Sequence, residues 1–128
     1  METQETKPFI LLKILRSFPY AFKGIYFLFR NETNSRVHLL AAITAVIAGF
    51  YFQIGPIKWV VIILCISLVF AAELFNTAIE RTIDLVSPQI NPAAGMIKDL
   101  SAGAVLVIAI GALLSGAIIF APYIYRLF

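Results

Sequence analysis

The chain has 128 residues, 61% hydrophobic and only 13% charged. Soluble domains are nearer half apolar and a quarter charged, so an ordinary soluble globule is excluded and an integral membrane protein of one small domain, 1–128, is expected. The net charge of +3 suits an anionic membrane surface and carries no nucleic-acid signature, and the lone Cys65 excludes an intrachain disulfide framework.

The first element is an amphipathic stretch over 8–30. Phe9, Leu12, Leu15, Phe18, Phe22, Ile25, Tyr26 and Phe29 recur at helical spacing, with Lys13, Arg16, Lys23 and Arg30 between them. That pattern predicts a helix lying on an anionic membrane face. Pro19 predicts a kink or a break within it. No cleavable signal peptide is expected, because the residues before Val37 carry charges throughout and lack a short apolar core.

Three spans follow. The first, 37–54, has His38 at its start and is just long enough to cross a hydrocarbon core of about 30 Å. Gly55-Pro56 breaks the chain, and Lys58 and Trp59 mark an interface. The second, 57–86, is predicted to leave the bilayer before Ser87-Pro88 ends it. The third, 92–121, starts from Asn91 as a side-chain cap with Pro92 at the first helical position. Gly103, Gly111, Ser115 and Gly116 along it suit close helix contact, and Tyr123, Tyr125 and Arg126 read as an interfacial anchor. Lys7, Lys13, Arg16, Lys23, Arg30 and Arg36 all precede the first span, against Lys58 alone in the first outer loop. The positive-inside rule then puts the N-terminus in the cytoplasm and the C-terminus outside.

The most informative feature is the stripe Glu73, Asn76, Glu80 and Asp84 on the second span. At 100° per residue these side chains fall within about 80° of one another. Glu73 lies roughly 24 Å along the helix from Ile57, near the second interface rather than mid-bilayer. An acid at membrane depth is costly and reads as functional by default. Glu32 and the pair Lys98-Asp99 lie at the same side. Carboxylates with an amide and a lysine suit Mg²⁺ and phosphate groups, and phosphoryl transfer is mainly positioning and charge neutralisation. A glycine-rich phosphate loop of the GxxxxGK[ST] type is absent from the sequence.

These residues resemble a known family. Glu73-Leu74-Phe75-Asn76-Thr77-Ala78-Ile79-Glu80, with Asp84 and the later Lys98-Asp99, is similar to the signature of the bacterial diacylglycerol kinase and undecaprenol kinase family, as are Arg30-Asn31-Glu32 and Arg36. The resemblance runs from Lys13 to Ala121. It implies a small all-α enzyme of the bacterial inner membrane, with a surface helix, three transmembrane helices and a homotrimeric assembly. It implies transfer of the γ-phosphate of Mg-ATP to a lipid hydroxyl at the cytoplasmic interface. Residue by residue it makes Glu73 the general base and Glu32 and Glu80 the metal carboxylates. Asn76, Lys98 and Asp99, with Glu32 and Glu80, belong to the nucleotide and phosphate site. Lys13, Arg16 and Tyr20 fall where the surface helix approaches the nucleotide. Arg36, Glu73 and Lys98 face the acceptor. Arg36-Val37-His38 and Val86-Ser87-Pro88 resemble the undecaprenol branch more than the diacylglycerol branch.

Plainer readings stand beside these. Glu73 could be half of a buried ion pair with Lys98 or Arg81, Asn76 could join helices, and Asp84 could belong to a solvated face. His38 reads as interface packing. The whole chain could instead be a non-enzymatic three-span module with its acids on an ion or proton path. Such a path would favour acids spread across the bilayer, whereas here they gather at one side.

Overall fold

The computed structural model describes residues 7–128 and is all-helical in that range: α1 Lys7–Asn31, α2 Thr33–Tyr51, α3 Pro56–Val86 and α4 Pro92–Tyr125. Helix α1 is unbroken, with Pro19 inside it, where a kink or break was expected. Proline there removes one N–H bond to a carbonyl a turn earlier. The surrounding stretch is exposed, so that carbonyl is open to other partners and the loss is tolerated. The C-terminal part of α1 packs on the other helices: Leu28 is buried, and Phe29 stacks edge-on against Phe70 of α3 at 5.2 Å. Arg81 sits over the Phe27 ring at 5.1 Å, a second tie between α1 and α3.

A one-residue joint at Glu32 separates α1 from α2. Arg36 braces it. Its Nε donates to the Phe29 carbonyl at 2.9 Å and its Nη2 donates to the Arg30 carbonyl, so one guanidinium covers two carbonyls at the end of α1. Helix α2 then runs to a tight reversal. Gln53 adopts φ 51°, with Gln53 N–H donating to the Phe50 carbonyl and Ile54 N–H to the Gly49 carbonyl. That bond pair is a left-handed helix cap with its apolar residue, Ile54, buried.

Helices α3 and α4 form an antiparallel hairpin. Lys58 Nζ donates to the Tyr123 hydroxyl at 2.9 Å at one end, and Lys98 bonds Asp84 at the other. Asn91 caps α4 by accepting from Ala93 N–H at 2.9 Å. At the α2–α3 turn, buried Ile54, Ile62 and Ile119 make an apolar core with Phe52, Trp59, Phe120 and Tyr123 around it. Gly49 is the close approach there: a Cβ on it would stand 2.7 Å from Trp59 Cη2. The small residues of α4 behave differently. A Cβ on Gly103, Gly111 or Gly116 would meet nothing within 4 Å, so they make no close helix contact among the described residues.

Helices α3 and α4 are each long and apolar enough to cross a membrane. Helix α2 has only 19 residues, and its polar first turn, Thr33-Asn34-Ser35-Arg36, leaves a shorter apolar run than the expected first span.

Candidate active site

The buried polar groups of the chain gather at the end away from the isoleucine core. Ser35 is fully buried, Glu73 is 3% exposed, and Thr77 and Ser101 are also buried. A carboxylate this deep in an apolar helix requires donors, and α2 supplies them. Ser35 Oγ donates to Glu73 Oε2 at 3.2 Å, and His38 Nε2 lies 3.1 Å from Glu73 Oε1. Ser35 and His38 are one turn apart, so both face α3. Each carboxylate oxygen therefore has its own partner from a neighbouring helix.

This is where sequence reasoning fell short. Glu73 pairs with neither Lys98 nor Arg81, and His38 is more than interface packing. The available signal was the i, i+3 pair of a hydroxyl and an imidazole at the start of an apolar helix beside the one carrying the buried acid.

One turn further along α3, Asn76 Nδ2 donates to Glu80 Oε1 at 3.1 Å, on the half-buried part of the stripe. Asn76 Oδ1 and Thr77 Oγ1 are both buried without a hydrogen-bond partner. Native interiors leave few such atoms, and each calls for an explanation. Two together beside a buried carboxylate mark a place not arranged for stability alone. A further turn along, exposed Asp84 takes Lys98, which leaves Lys98 with a protein partner rather than standing open. That pair lines a cleft of about 290 Å³ over the α3–α4 turn, with Ser87, Asn91 and Gly95. The cleft lies at the Asp84 end of the stripe and is not lined by Glu73, Asn76 or Glu80.

The other residues singled out from the sequence stand around this line. Glu32 is half-buried at the α1–α2 joint and makes no capping bond with its side chain. Arg16, with Lys13, Phe9 and Leu12, shapes a shallow hollow on exposed α1. Tyr20 is exposed with Lys23 Nζ 5.8 Å from its ring centre, and Asp99 is exposed on α4. Among the described residues, Glu32, Arg16, Tyr20 and Asp99 make no hydrogen bond or ion pair with Glu73 or Glu80.

No group of three His, Cys, Asp or Glu side chains able to hold a metal occurs among the described residues. Mg²⁺ does not require one: it keeps several waters and takes one or two carboxylates plus substrate phosphates. Glu80, with the unpartnered oxygen of Asn76 on the same side chain that bonds it, is a hard-oxygen donor set of that kind.

Residues 19–120 match the prokaryotic diacylglycerol kinase family. The chain belongs to that family. It is therefore a lipid kinase, an enzyme that phosphorylates a membrane lipid alcohol with ATP as donor. Undecaprenol kinase of Bacillus subtilis is 40% identical over 112 residues, 88% of this chain and 91% of that one. Diacylglycerol kinase of Synechocystis is 34% identical over 110 residues, 85% of this chain and 63% of the relative. Diacylglycerol kinase of Escherichia coli K12 is 28% identical over 107 residues, 84% of this chain and 88% of the relative.

Proposed function

We propose that this lipid kinase transfers the γ-phosphoryl group of Mg-ATP to the hydroxyl of undecaprenol, at the cytoplasmic face of the bacterial inner membrane. The observation that carries the reading is Glu73: a carboxylate 3% exposed, on an apolar helix, with the Ser35 hydroxyl bonded to one oxygen and the His38 imidazole 3.1 Å from the other. A base at that depth meets a hydroxyl presented from a lipid headgroup. In the reaction the acceptor O–H bond breaks, its proton passes to the Glu73 carboxylate, and the oxygen bonds the γ-phosphorus as ADP leaves.

Glu32 and Glu80 hold Mg²⁺ in this scheme, and the ion neutralises charge on the phosphates when bound. Asn76, Lys98 and Asp99 serve the nucleotide, with Lys13, Arg16 and Tyr20 approaching it from α1. Arg36 faces the acceptor from the joint it braces. Helix α2, with α3 and α4, makes three spans, and α1 lies on the anionic surface. The N-terminus is cytoplasmic and the C-terminus outside. Three copies assemble, which would bring the scattered Glu32 and Asp99 toward a neighbour's α3. The choice of undecaprenol is supported by the 40% identity to a protein of that name, against 34% and 28% for the diacylglycerol kinases above.

The test is a competition. Purified protein receives radiolabelled ATP, Mg²⁺ and both lipids at equal mole fraction in one micelle population. Undecaprenyl phosphate is the expected major product. A kcat/KM ratio of about ten or more in favour of diacylglycerol, roughly 1.4 kcal/mol of transition-state discrimination, would reverse the acceptor assignment.

A further inference from the structure

We propose that His38 is a positioning residue for phosphoryl transfer, acting through Glu73 on the acceptor hydroxyl. The inference rests on Glu73 as the base. The contact is direct: Nε2 of His38 lies 3.1 Å from Oε1 of Glu73, and the two side chains are 23% and 4% exposed. Ser35 Oγ, fully buried, engages Oε2 at 3.2 Å. A hydroxyl donor on one oxygen and an imidazole nitrogen 3.1 Å from the other hold the carboxylate from two sides. A base oriented by a third group that never touches the substrate is a recurrent catalytic arrangement.

The environment argues against a bond made only for stability. The same region leaves Asn76 Oδ1 and Thr77 Oγ1 buried and unpartnered, so its polar groups have not been satisfied for the sake of the fold. Ser35 and His38 nonetheless converge on this one carboxylate from another helix. With its Nε2 3.1 Å from Oε1, His38 stands on the opposite side of the carboxylate from the Ser35 bond and limits how far Glu73 can turn. Misplacing a reacting group by about 1 Å costs on the order of 10²-fold in rate, so the expected effect falls on kcat rather than on binding.

The experiment uses the full chain in lipid micelles, with His38→Phe, His38→Gln and Glu73→Gln measured together. His38→Phe keeps a ring of similar size and removes the N–H. Its kcat should drop on the order of 10²-fold, with KM for ATP and for lipid within about threefold of wild type. His38→Gln keeps an amide N–H and should recover most of that loss. A wild-type kcat for His38→Phe, or equal losses for Phe and Gln, would overturn the proposal. Should His38→Phe fail to fold, His38→Ala with added imidazole takes its place; recovery of kcat supports the role and no recovery defeats it. Glu73→Gln separates the two readings. If it is inactive while His38→Phe is normal, the base stands and the positioning role falls. If Glu73→Gln is active, the assignment of the base falls, and this inference with it.

Discussion

The two ends of the helical hairpin solve opposite problems. At the α2–α3 turn the buried groups are apolar, and the lysine beside them is paired. Ile54, Ile62 and Ile119 are buried together, Phe52 lies 5.4 Å from Tyr123, and Lys58 reaches the Tyr123 hydroxyl. At the other end the polar residues Ser35, Glu73, Thr77 and Ser101 are buried along with Leu28, and two buried polar atoms go without partners. Dispersion and area burial hold the first end. The second end retains polar groups at a cost to stability, the kind of cost found where function competes with folding.

The contrast can be broken most sharply at Glu73. Glu73→Gln should reduce kcat by about 10²–10⁴, the usual contribution of a general base, while the melting temperature stays level or rises. Next come Glu80→Gln and Glu32→Gln. Each should raise the KM for Mg-ATP by about 10–100-fold, the scale of losing a metal-site partner, as measured by titrating ATP at fixed Mg²⁺.

The apolar end should answer in stability instead. Gly49→Ala places a Cβ 2.7 Å from Trp59 Cη2 and 3.2 Å from Ile54 Cδ1. Overpacking of this kind costs about 1–3 kcal/mol. Thermal unfolding in micelles should show that loss, with kcat per folded molecule unchanged. A fall in kcat at constant stability would erase the distinction between the ends. Thr77→Val runs the other way. Removing a buried hydroxyl that has no partner should stabilise by about 1 kcal/mol, and a loss of stability would mean the hydroxyl is already satisfied. The smallest effect belongs to the joint. Arg36→Gln uncovers the Phe29 and Arg30 carbonyls and should cost about 0.5–1 kcal/mol, seen as faster amide exchange in the last turn of α1.

What could be read from the chain follows from the range of each interaction. Helical character is carried by apolar periodicity and by punctuation such as Asn91-Pro92, whose cap forms within three residues. The stripe from Glu73 to Asp84 is visible because one helix holds it. Pro19 does not break α1, which runs through it along an exposed stretch. The close approach at Gly49 has no local signal, because it depends on Trp59 arriving from the next helix. The partners of Glu73 were hidden for the same reason. Ser35 lies 38 positions away, and no spacing rule connects the start of one helix to the end of the next. The charges Arg81 and Lys98, the plainer alternative partners, are engaged elsewhere: one sits over Phe27 and the other holds Asp84.

The central claim is that Glu73 serves the acceptor and Glu80 the nucleotide, although one helix carries both. Calorimetric titration of Mg-ATP into wild type, Glu73→Gln and Glu80→Gln tests it most directly. The account predicts near-wild-type affinity for catalytically dead Glu73→Gln and a loss of about tenfold or more for Glu80→Gln. Equal loss of affinity in both variants would contradict it.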